Sequence, residues 1–420
     1  MLHLLLHFLI LLHVAPSSAH AKPPTTTCAD DLKPLHWTRV TRAASFSPRY
    51  AFGVVTTPNE IVVLGGLSSH SSPHNATTTQ LLRAGGGILS SSTAEVMYND
   101  VWSSPDGGDW KLLTTRPGFS ARAYHSTEFF GSSIYVMGGA QLSGNNKNKV
   151  SADGAVWYAS KPYTNFTLGV FQIKNDRTHV APWGPRLAMS TAVSSNKIFL
   201  YGGVTISDDS QIAFKQDLWV SSDPASSWDP VPLKAPPKSL QGRVGSFLYD
   251  SSLLSDASAL YAYGGGVGIN HESSFSNDVV EVVPNVAHPI QARSNQGGTI
   301  AKQEATSLGG RTMTSIAMFR SDYNPLSSTT EKKNPTVKTA GPTLIMTGGS
   351  TFKSEPWTVI DVKGALLPVL SGTKDVECSK DGVNWLQVKF SDDDEQWESR
   401  YENLNLFVFD YCFELYYHKI

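Results

Sequence analysis

The sequence predicts an all-β fold made of several small antiparallel sheets, and three observations lead to this expectation. Only 17% of the 420 residues are charged, whereas Gly (34) and Pro (24) are abundant, and this composition favours strands and turns over long helices. A β-rich run that ends in two glycines recurs at a fixed distance from an arginine. A second run, which contains Asp and often Trp, follows each pair of glycines. The hydrophobic fraction of 40% is ample for a core and excludes a disordered chain.

The net charge of the chain is close to zero. Lys and Arg number 34 against 36 for Asp and Glu, which gives −2. Near balance argues against a nucleic-acid-binding protein held by a broad positive field. Length alone suggests about two or three domains, but the repeat described below predicts one domain over residues 22–420.

Residues 1–21 are predicted to be a secretory signal peptide. An apolar run from Leu4 to Ala15 is followed by the small residues of Ala19-His20-Ala21, after which we expect cleavage. The alternative for this segment is a buried strand or helix. No later run approaches the ~20 apolar residues that a membrane span needs. We therefore expect a protein that is secreted, or held in the lumen of the secretory pathway, with no span once the signal is removed.

Two sequons agree with a secreted protein. Asn75-Ala76-Thr77 and Asn165-Phe166-Thr167 both match the acceptor pattern for N-glycosylation. Both lie in stretches that read as surface loops or the rims of sheets. We expect glycans on Asn75 and Asn165.

The first half of the repeat consists of an arginine, a β-rich run and two glycines. The glycines follow the arginine by 16 residues in three copies, and two further copies are stretched by a longer turn or a polar insertion. Short strands with turn residues between them suit a small antiparallel sheet, and a di-glycine at a strand end tolerates the close approach of a neighbouring chain. The five copies pair Arg49 with Gly65-Gly66, Arg122 with Gly138-Gly139, Arg186 with Gly202-Gly203, Arg243 with Gly264-Gly265 and Arg311 with Gly348-Gly349.

The second half of the repeat supplies two more strands. Asp100-Val101-Trp102 leads through an Asp-Gly turn to Trp110, and Asp375-Val376-Glu377 leads to Trp385 in the same register. Asp-Gly is a strong hairpin signal because a type I′ turn needs positive φ. Each unit is thus predicted to have four strands, with the arginine opening the first. One such sheet cannot bury both faces alone, so copies must stack.

This pattern resembles the kelch repeat, the four-stranded blade of a β-propeller, over nearly all of residues 37–420. The resemblance implies a ring of blades. Thr27–Trp37 resembles the second half of a repeat, and Arg400 opens what resembles a first half. We therefore expect six blades, the sixth shared between the N- and C-terminal segments, in a monomer.

The three cysteines bear on how the ring closes. Cys28 and Cys412 both fall in the shared blade, so we predict a Cys28–Cys412 disulfide that links the two ends. The alternatives are a Cys28–Cys378 pair or three free thiols. An oxidising compartment favours pairing.

The repeated arginines are the main candidate for ligand binding. In kelch propellers that bind acidic peptides, arginines at this place in the repeat line the mouth of the central pocket, and the resemblance implies the same here. Guanidinium–carboxylate pairs are strong and directional. The alternative is that each arginine makes structural bonds to backbone carbonyls or to the next blade. The six predicted ligand-binding residues are Arg49, Arg122, Arg186, Arg243, Arg311 and Arg400.

Motifs of common enzymes are absent from the sequence, with no His-Glu-x-x-His, Gly-x-Ser-x-Gly or P-loop. We expect no cofactor and no metal. Some kelch propellers are epimerases or related enzymes that act on acidic sugars, and His125, three residues after a repeat arginine, is the one weak catalytic candidate. The sequence favours a binding module for an extracellular protein or glycan, and the arginines suggest an acidic one. The alternative is an epimerase- or hydrolase-like enzyme that acts on an acidic sugar in an arginine-lined pocket.

Overall fold

A computed structural model describes residue 41, residues 44–231 with short gaps at 50, 69–76, 80–81, 84–86, 89–94, 144–145, 175, 207–211 and 216, and strand segments between 243 and 415. The described residues are all-β and contain no helix. The predicted leader, residues 1–21, lies outside them. Five sheets of four main strands follow one another along the chain, and every pairing within them is antiparallel.

Each sheet is a meander in which four strands pair in chain order. Their bounds are as follows. Sheet 1 contains Gly53–Thr56, Ile61–Ser68, Glu95–Ser104 and Lys111–Thr114, with Thr77–Thr79 added beside the third strand; sheet 2 contains Ser126–Phe130, Ser133–Met137, Val156–Ser160 and Thr167–Leu168; sheet 3 contains Ser190–Ser194, Lys197–Tyr201, Leu218–Asp223 and Ser227–Val231; sheet 4 contains Phe247–Asp250, Leu260–Tyr263, Val279–Val283 and Gln291–Arg293; sheet 5 contains Ser315–Phe319, Thr343–Thr347, Val376–Ser379 and Trp385–Gln387.

A two-stranded hairpin, Leu406–Phe409 with Cys412–Leu415, follows sheet 5. Its first strand contacts the first strand of sheet 5. The first strands of sheets 1 to 5 likewise contact one another in succession. The first strands are therefore where the backbones of successive sheets come close to each other.

Further short hairpins lie outside the main sheets. Four of them follow di-glycines, and the first three of these, together with Thr77–Thr79, are called here the hairpin tier: Ala140–Ser143 with Asn146–Ala152, Val204–Ile206 with Ile212–Phe214, and Gly266–Val267 with Ser274–Phe275. Others are Leu82–Arg83 with Gly87–Ile88, Phe171–Ile173 with Asp176–Thr178, Ser350–Phe352 with Leu370–Gly372, and Val359–Val362 with Ala365–Pro368. The arginines hold the base of the tier, since Arg122–Ala123 pairs with Ala140–Gln141 and Arg243–Val244 with Gly266–Val267.

The core consists of the faces that successive sheets turn toward each other. Between sheets 1 and 2, Val62 and Leu64 pack with Ile134 and Val136, and Phe166 closes the cluster. Between sheets 2 and 3, Met137 and Val156 pack with Ile198, Leu200 and Trp228. Because strand side chains alternate between the two faces, each inner sheet serves two such clusters. This is the stacking that the repeat predicted.

The di-glycines let successive sheets approach closely. A Cβ on Gly65 would lie 2.8 Å from the carbonyl oxygen of Arg122, and a Cβ on Gly138 would lie 2.7 Å from that of Arg186. Both glycines also have φ near +60°, a region that favours glycine. Gly65 and Gly138 therefore each receive the backbone of the next repeat, as the sequence predicted.

The arginines do not open the first strands, which corrects one expectation. Each first strand of sheets 1 to 5 begins four residues after its arginine. In the three described copies, the second residue after the arginine takes a left-handed conformation, with φ of 51° at Ala51, 53° at Tyr124 and 52° at Ala188. A left-handed residue interrupts an extended strand, so the arginine belongs to a separate segment.

Candidate functional site

Each described arginine binds the first glycine of its own repeat. An Nη1 group donates to the carbonyl of Gly65 from Arg49 (2.9 Å), of Gly138 from Arg122 (2.8 Å) and of Gly202 from Arg186 (3.0 Å). The constant spacing of 16 residues is therefore the length of the loop that this hydrogen bond closes. The arginine fixes the turn at the end of the second strand.

A carboxylate next to the third strand completes the unit. Arg49 pairs with Asp100 (Nη2–Oδ2 3.0 Å), Arg122 with Asp153 (2.9 Å) and Arg186 with Asp217 (2.7 Å). Burial alone would raise the pKa of Asp217, but the hydrogen bond and charge of Arg186 outweigh it and hold the pKa below its usual range.

The buried arginines correct the prediction of a ligand-capturing ring. Arg49, Arg122 and Arg186 are 4%, 1% and 0% exposed, and their guanidinium groups are bonded to carbonyl and carboxylate oxygens of the protein. A group so enclosed cannot meet a ligand carboxylate without breaking the unit. The structural alternative holds for these three. Only the backbone of Arg243 is described, and Arg311 and Arg400 lie outside the described residues.

The left-handed residues join the arginine segments of successive sheets. The amide of Tyr124 donates to the carbonyl of Ala51 (2.9 Å), and the amide of Ala188 donates to the carbonyl of Tyr124 (2.8 Å). In the same region, the amide of Gly139 donates to the carbonyl of Arg186 (2.9 Å). The links between sheets at this level are thus made by the main chain.

His125 does not reach solvent, which overturns its candidacy as a catalytic group. It is 7% exposed and lies where a Cβ on Gly53, Gly65 or Gly139 would contact it. Burial, and then the positive charge of Arg122, lower the pKa of His125 to about 3, so the ring is neutral at pH 7. Neither ring nitrogen has a hydrogen-bond partner. The imidazole therefore fills the gap between sheets 1 and 2.

Glu128 is a residue that the sequence analysis missed. It stands in the first strand of sheet 2, and its Oε1 accepts a hydrogen bond from Thr191 of sheet 3 (2.7 Å). Burial raises the pKa of Glu128 to about 7, with the Thr191 bond opposing. Aligning the repeats on their arginines would have found it, because the sixth residue after each arginine is Val55 in sheet 1 and Ala192 in sheet 3.

The hairpin tier gathers side by side above the arginine units. The strand Asn146–Ala152 contacts both Thr77–Thr79 and Val204–Ile206. These segments belong to three different repeats, yet they lie next to one another. The Ser120 hydroxyl donates to Gln141 (2.6 Å) at the exposed base of the tier.

Comparison with known proteins bears on the fold. The chain is similar to a solved structure described as "Structure of YjhT". The two are 13% identical, the match covers 83% of this chain and 86% of that chain, and the TM-score is 0.50. No protein-family model matches the chain, and no curated protein matches it in sequence. At this identity the likeness concerns the fold alone.

The disulfide prediction is wrong in its pairing. Cys378, in the third strand of sheet 5, is fully buried and disulfide-bonded. The chain has three cysteines, so the partner of Cys378 is Cys28 or Cys412, and these two cannot also be joined to each other. Cys28 lies outside the described residues, and only the backbone of Cys412 is described.

Of the two sequons, the structure describes one acceptor. Asn165 is exposed in a bend just before Thr167–Leu168, the outer edge strand of sheet 2. Its neighbour Phe166 is buried in the core between sheets 1 and 2. Asn75 lies outside the described residues.

Two features are absent from the part of the chain that the structure describes. Within it, no group of three or more His, Cys, Asp or Glu side chains could hold a metal ion. No helix in the same part is long and apolar enough to cross a membrane.

Proposed function

We propose that the chain is a secreted, kelch-type β-propeller of six blades that acts as a binding module for an extracellular protein or glycan. Five repeated four-stranded sheets support this proposal, together with the C-terminal hairpin that contacts the first strand of sheet 5. In the proposed ring the first strands line the axis. The N-terminal segment would complete the sixth blade.

The hairpin tier carries the functional part of the proposal. Its segments differ in length and sequence between sheets, whereas the arginine units beneath them repeat in geometry. Specificity commonly resides in loops that a rigid scaffold positions. The strand Asn146–Ala152 contacts both Thr77–Thr79 and Val204–Ile206, and this adjacency of segments from three repeats is the observation on which the proposal rests.

The enzyme alternative and the preference for acidic ligands both lose support. His125 is buried and neutral, and the described arginines are bound within the fold. We therefore assign the binding role to the tier and not to a ring of arginines. The exposed Asn165 agrees with a glycosylated, secreted protein.

The test uses a glycan array and a pull-down of secreted proteins with the full chain. In two variants, here called tip variants, the residues between Ser143 and Asn146 or those between Ile206 and Ile212 are replaced by Gly and Ser of equal length. The matched control replaces the exposed turn Pro58-Asn59, which joins the first two strands of sheet 1 and therefore lies at the other end of the sheet. We expect the tip variants to lose binding to the ligand found and the control to keep it. Full binding by both tip variants would overturn the proposal.

A further inference from the structure

Glu128 lies where three sheets meet. The first strand of sheet 2 runs between the first strands of sheets 1 and 3. Its hydroxyl side chains bind the neighbouring backbones, with Thr127 donating to the carbonyl of Val54 (3.1 Å) and Ser126 to the carbonyl of Met189 (2.8 Å). Glu128 sits beside them and is held by Thr191. This position is independent of the hairpin tier.

Among the described residues, the Glu128 carboxylate has no positive partner. Its one hydrogen bond to them comes from a neutral hydroxyl, and no described Lys, Arg or His contributes to its environment. The facing first strands, Gly53–Thr56 and Ser190–Ser194, contain no ionisable side chain. The residue opposite Glu128 on the second strand of its own sheet is Tyr135. A carboxylate in such surroundings lacks the counter-ion that buried charges normally have.

The fold itself does not need an acid at this place. In register, Glu128 pairs with Tyr135 as Val55 pairs with Val62 in sheet 1 and Ala192 with Phe199 in sheet 3. Small apolar side chains therefore satisfy the same position in both neighbours. An uncompensated charge that the repeat does without points to a role other than packing.

The surroundings of Glu128 are dense, yet the side chain retains some exposed surface. Burial is the main cause of its raised pKa, so protein atoms surround it on most sides. Glu128 is therefore largely buried, but solvent still reaches part of it. Strongly perturbed carboxyl groups of this kind are concentrated at functional sites.

We propose that Glu128 anchors a second binding site, between the first strands of sheets 1 to 3, and that this site takes a cationic group, a primary ammonium or a guanidinium. Thr191 holds Oε1 and leaves Oε2 to accept from the ligand. A cation supplies the missing counter-charge, and charge-assisted hydrogen bonds are about twice as strong as neutral ones. A divalent metal fits less well, because no second carboxylate or imidazole joins Glu128 among the described residues.

The experiment compares small cations with neutral and anionic analogues on the full chain. The probes are n-butylammonium and agmatine, with n-butanol and butyrate as matched controls at constant ionic strength and pH 8, where Glu128 is mostly ionised. Binding is measured by calorimetry on the wild-type protein, on Glu128→Gln and on Asp176→Asn, which removes an exposed carboxylate elsewhere. We expect the two cations to bind the wild type and Asp176→Asn with equal affinity. Their affinity for Glu128→Gln should be lower by a factor of about ten or more.

A second measurement does not depend on the glutamine variant. The pKa of Glu128, followed by the ¹³C chemical shift of its carboxyl carbon, should fall when n-butylammonium is added, because a bound cation favours the ionised form. If Glu128→Gln fails to fold, Glu128→Val replaces it as the variant without a carboxylate, because Val55 occupies the same position in sheet 1. Equal cation binding by the variants and the wild type, or no cation-dependent change in the wild type, would overturn the proposal.

Discussion

At the scale of single residues, the aspartates of the first and third arginine units each bind a tryptophan as well as the arginine. Asp100 accepts from Trp102 Nε1 and Asp217 from Trp219 Nε1, both at 2.7 Å, while each also binds its arginine. The Asp-x-Trp motif thus ties the third strand to the arginine unit. Sheet 2 lacks this link, because Asp153 lies four residues before Trp157 and the Trp157 Nε1 has no hydrogen-bond partner.

The two tryptophans therefore form a matched pair for mutation. Trp219→Phe removes a hydrogen bond to a carboxylate, whereas Trp157→Phe removes an indole nitrogen that has no partner. Both side chains are half-buried and pack against core clusters, so their packing losses should be similar. We expect Trp219→Phe to lower the free energy of unfolding by about 1–2 kcal/mol more than Trp157→Phe. Urea unfolding measures the difference, and equal losses would contradict the role given to Asp217.

Glu128 should make stability depend on pH in the absence of a cation. Its pKa is raised from 4.5 to about 7 on folding, so the unfolded chain releases the proton first and the folded state loses stability as the pH rises through this window. Glu128→Gln has no such loss. We expect its free energy of unfolding, relative to wild type, to rise by about 2 kcal/mol between pH 4.5 and pH 8.

Urea unfolding at several pH values measures this effect, with Asp176→Asn as the control. That variant should track the wild type at every pH, because Asp176 is exposed. A difference between Glu128→Gln and wild type that stays constant from pH 4.5 to pH 8 would show that Glu128 is ionised normally.

At the scale of elements, the strands were more predictable than the role of the arginines. The second strands of sheets 1 to 3 lie where the runs before the di-glycines placed them, because β-propensity and turn residues act locally. The arginines were placed by spacing, but their partners were not. Asp153 and Asp217 lie 31 residues from Arg122 and Arg186, and no local pattern shows whether a guanidinium turns inward to them or outward to solvent.

Two glycines of similar conformation separate backbone strain from close packing. Gly131 and Gly138 have φ of +55° and +58°, but a Cβ on Gly131 would meet nothing within 4 Å, whereas one on Gly138 would lie 2.7 Å from the Arg186 carbonyl oxygen. We expect Gly131→Ala to cost about 1 kcal/mol from φ alone. Gly138→Ala should cost roughly 3–4 kcal/mol, because sheet 3 must also shift.

Thermal and urea unfolding of the two variants provide the measurement. The m-value should match wild type for Gly131→Ala, which leaves the contact between sheets intact. Similar losses in the two variants would mean that the space around the first glycine is not what holds sheets 2 and 3 together.

At the scale of the whole molecule, stability resides between sheets. The clusters between sheets 1 and 2 and between sheets 2 and 3 draw buried side chains from both partners. The repeat predicted that the sheets stack, but which side chains of two sheets meet depends on contacts far apart in sequence. The role of Glu128 could not be predicted for the same reason, because it depends on the uncharged first strands that lie beside it only in the folded chain.

The disulfide gives a prediction at this scale. Peptide mapping without reduction should find the peptide that contains Cys378 joined to that of Cys28 or Cys412, with the third cysteine alkylated as a free thiol. Cys378→Ser should lower the free energy of unfolding by about 2–4 kcal/mol. A cross-link between the Cys28 and Cys412 peptides would contradict the pairing seen in sheet 5.

The main-chain links between sheets have a consequence for how such a chain can diverge over evolution. The joints from Ala51 to Tyr124, from Tyr124 to Ala188 and from Gly139 to Arg186 use only peptide N–H and C=O groups, and among substitutions only proline at a donor residue removes such a group. Mutations can thus accumulate on both sides of a joint while the joint itself persists. A fold held in this way tolerates wide differences in sequence, in agreement with a fold likeness at 13% identity over 83% of the chain.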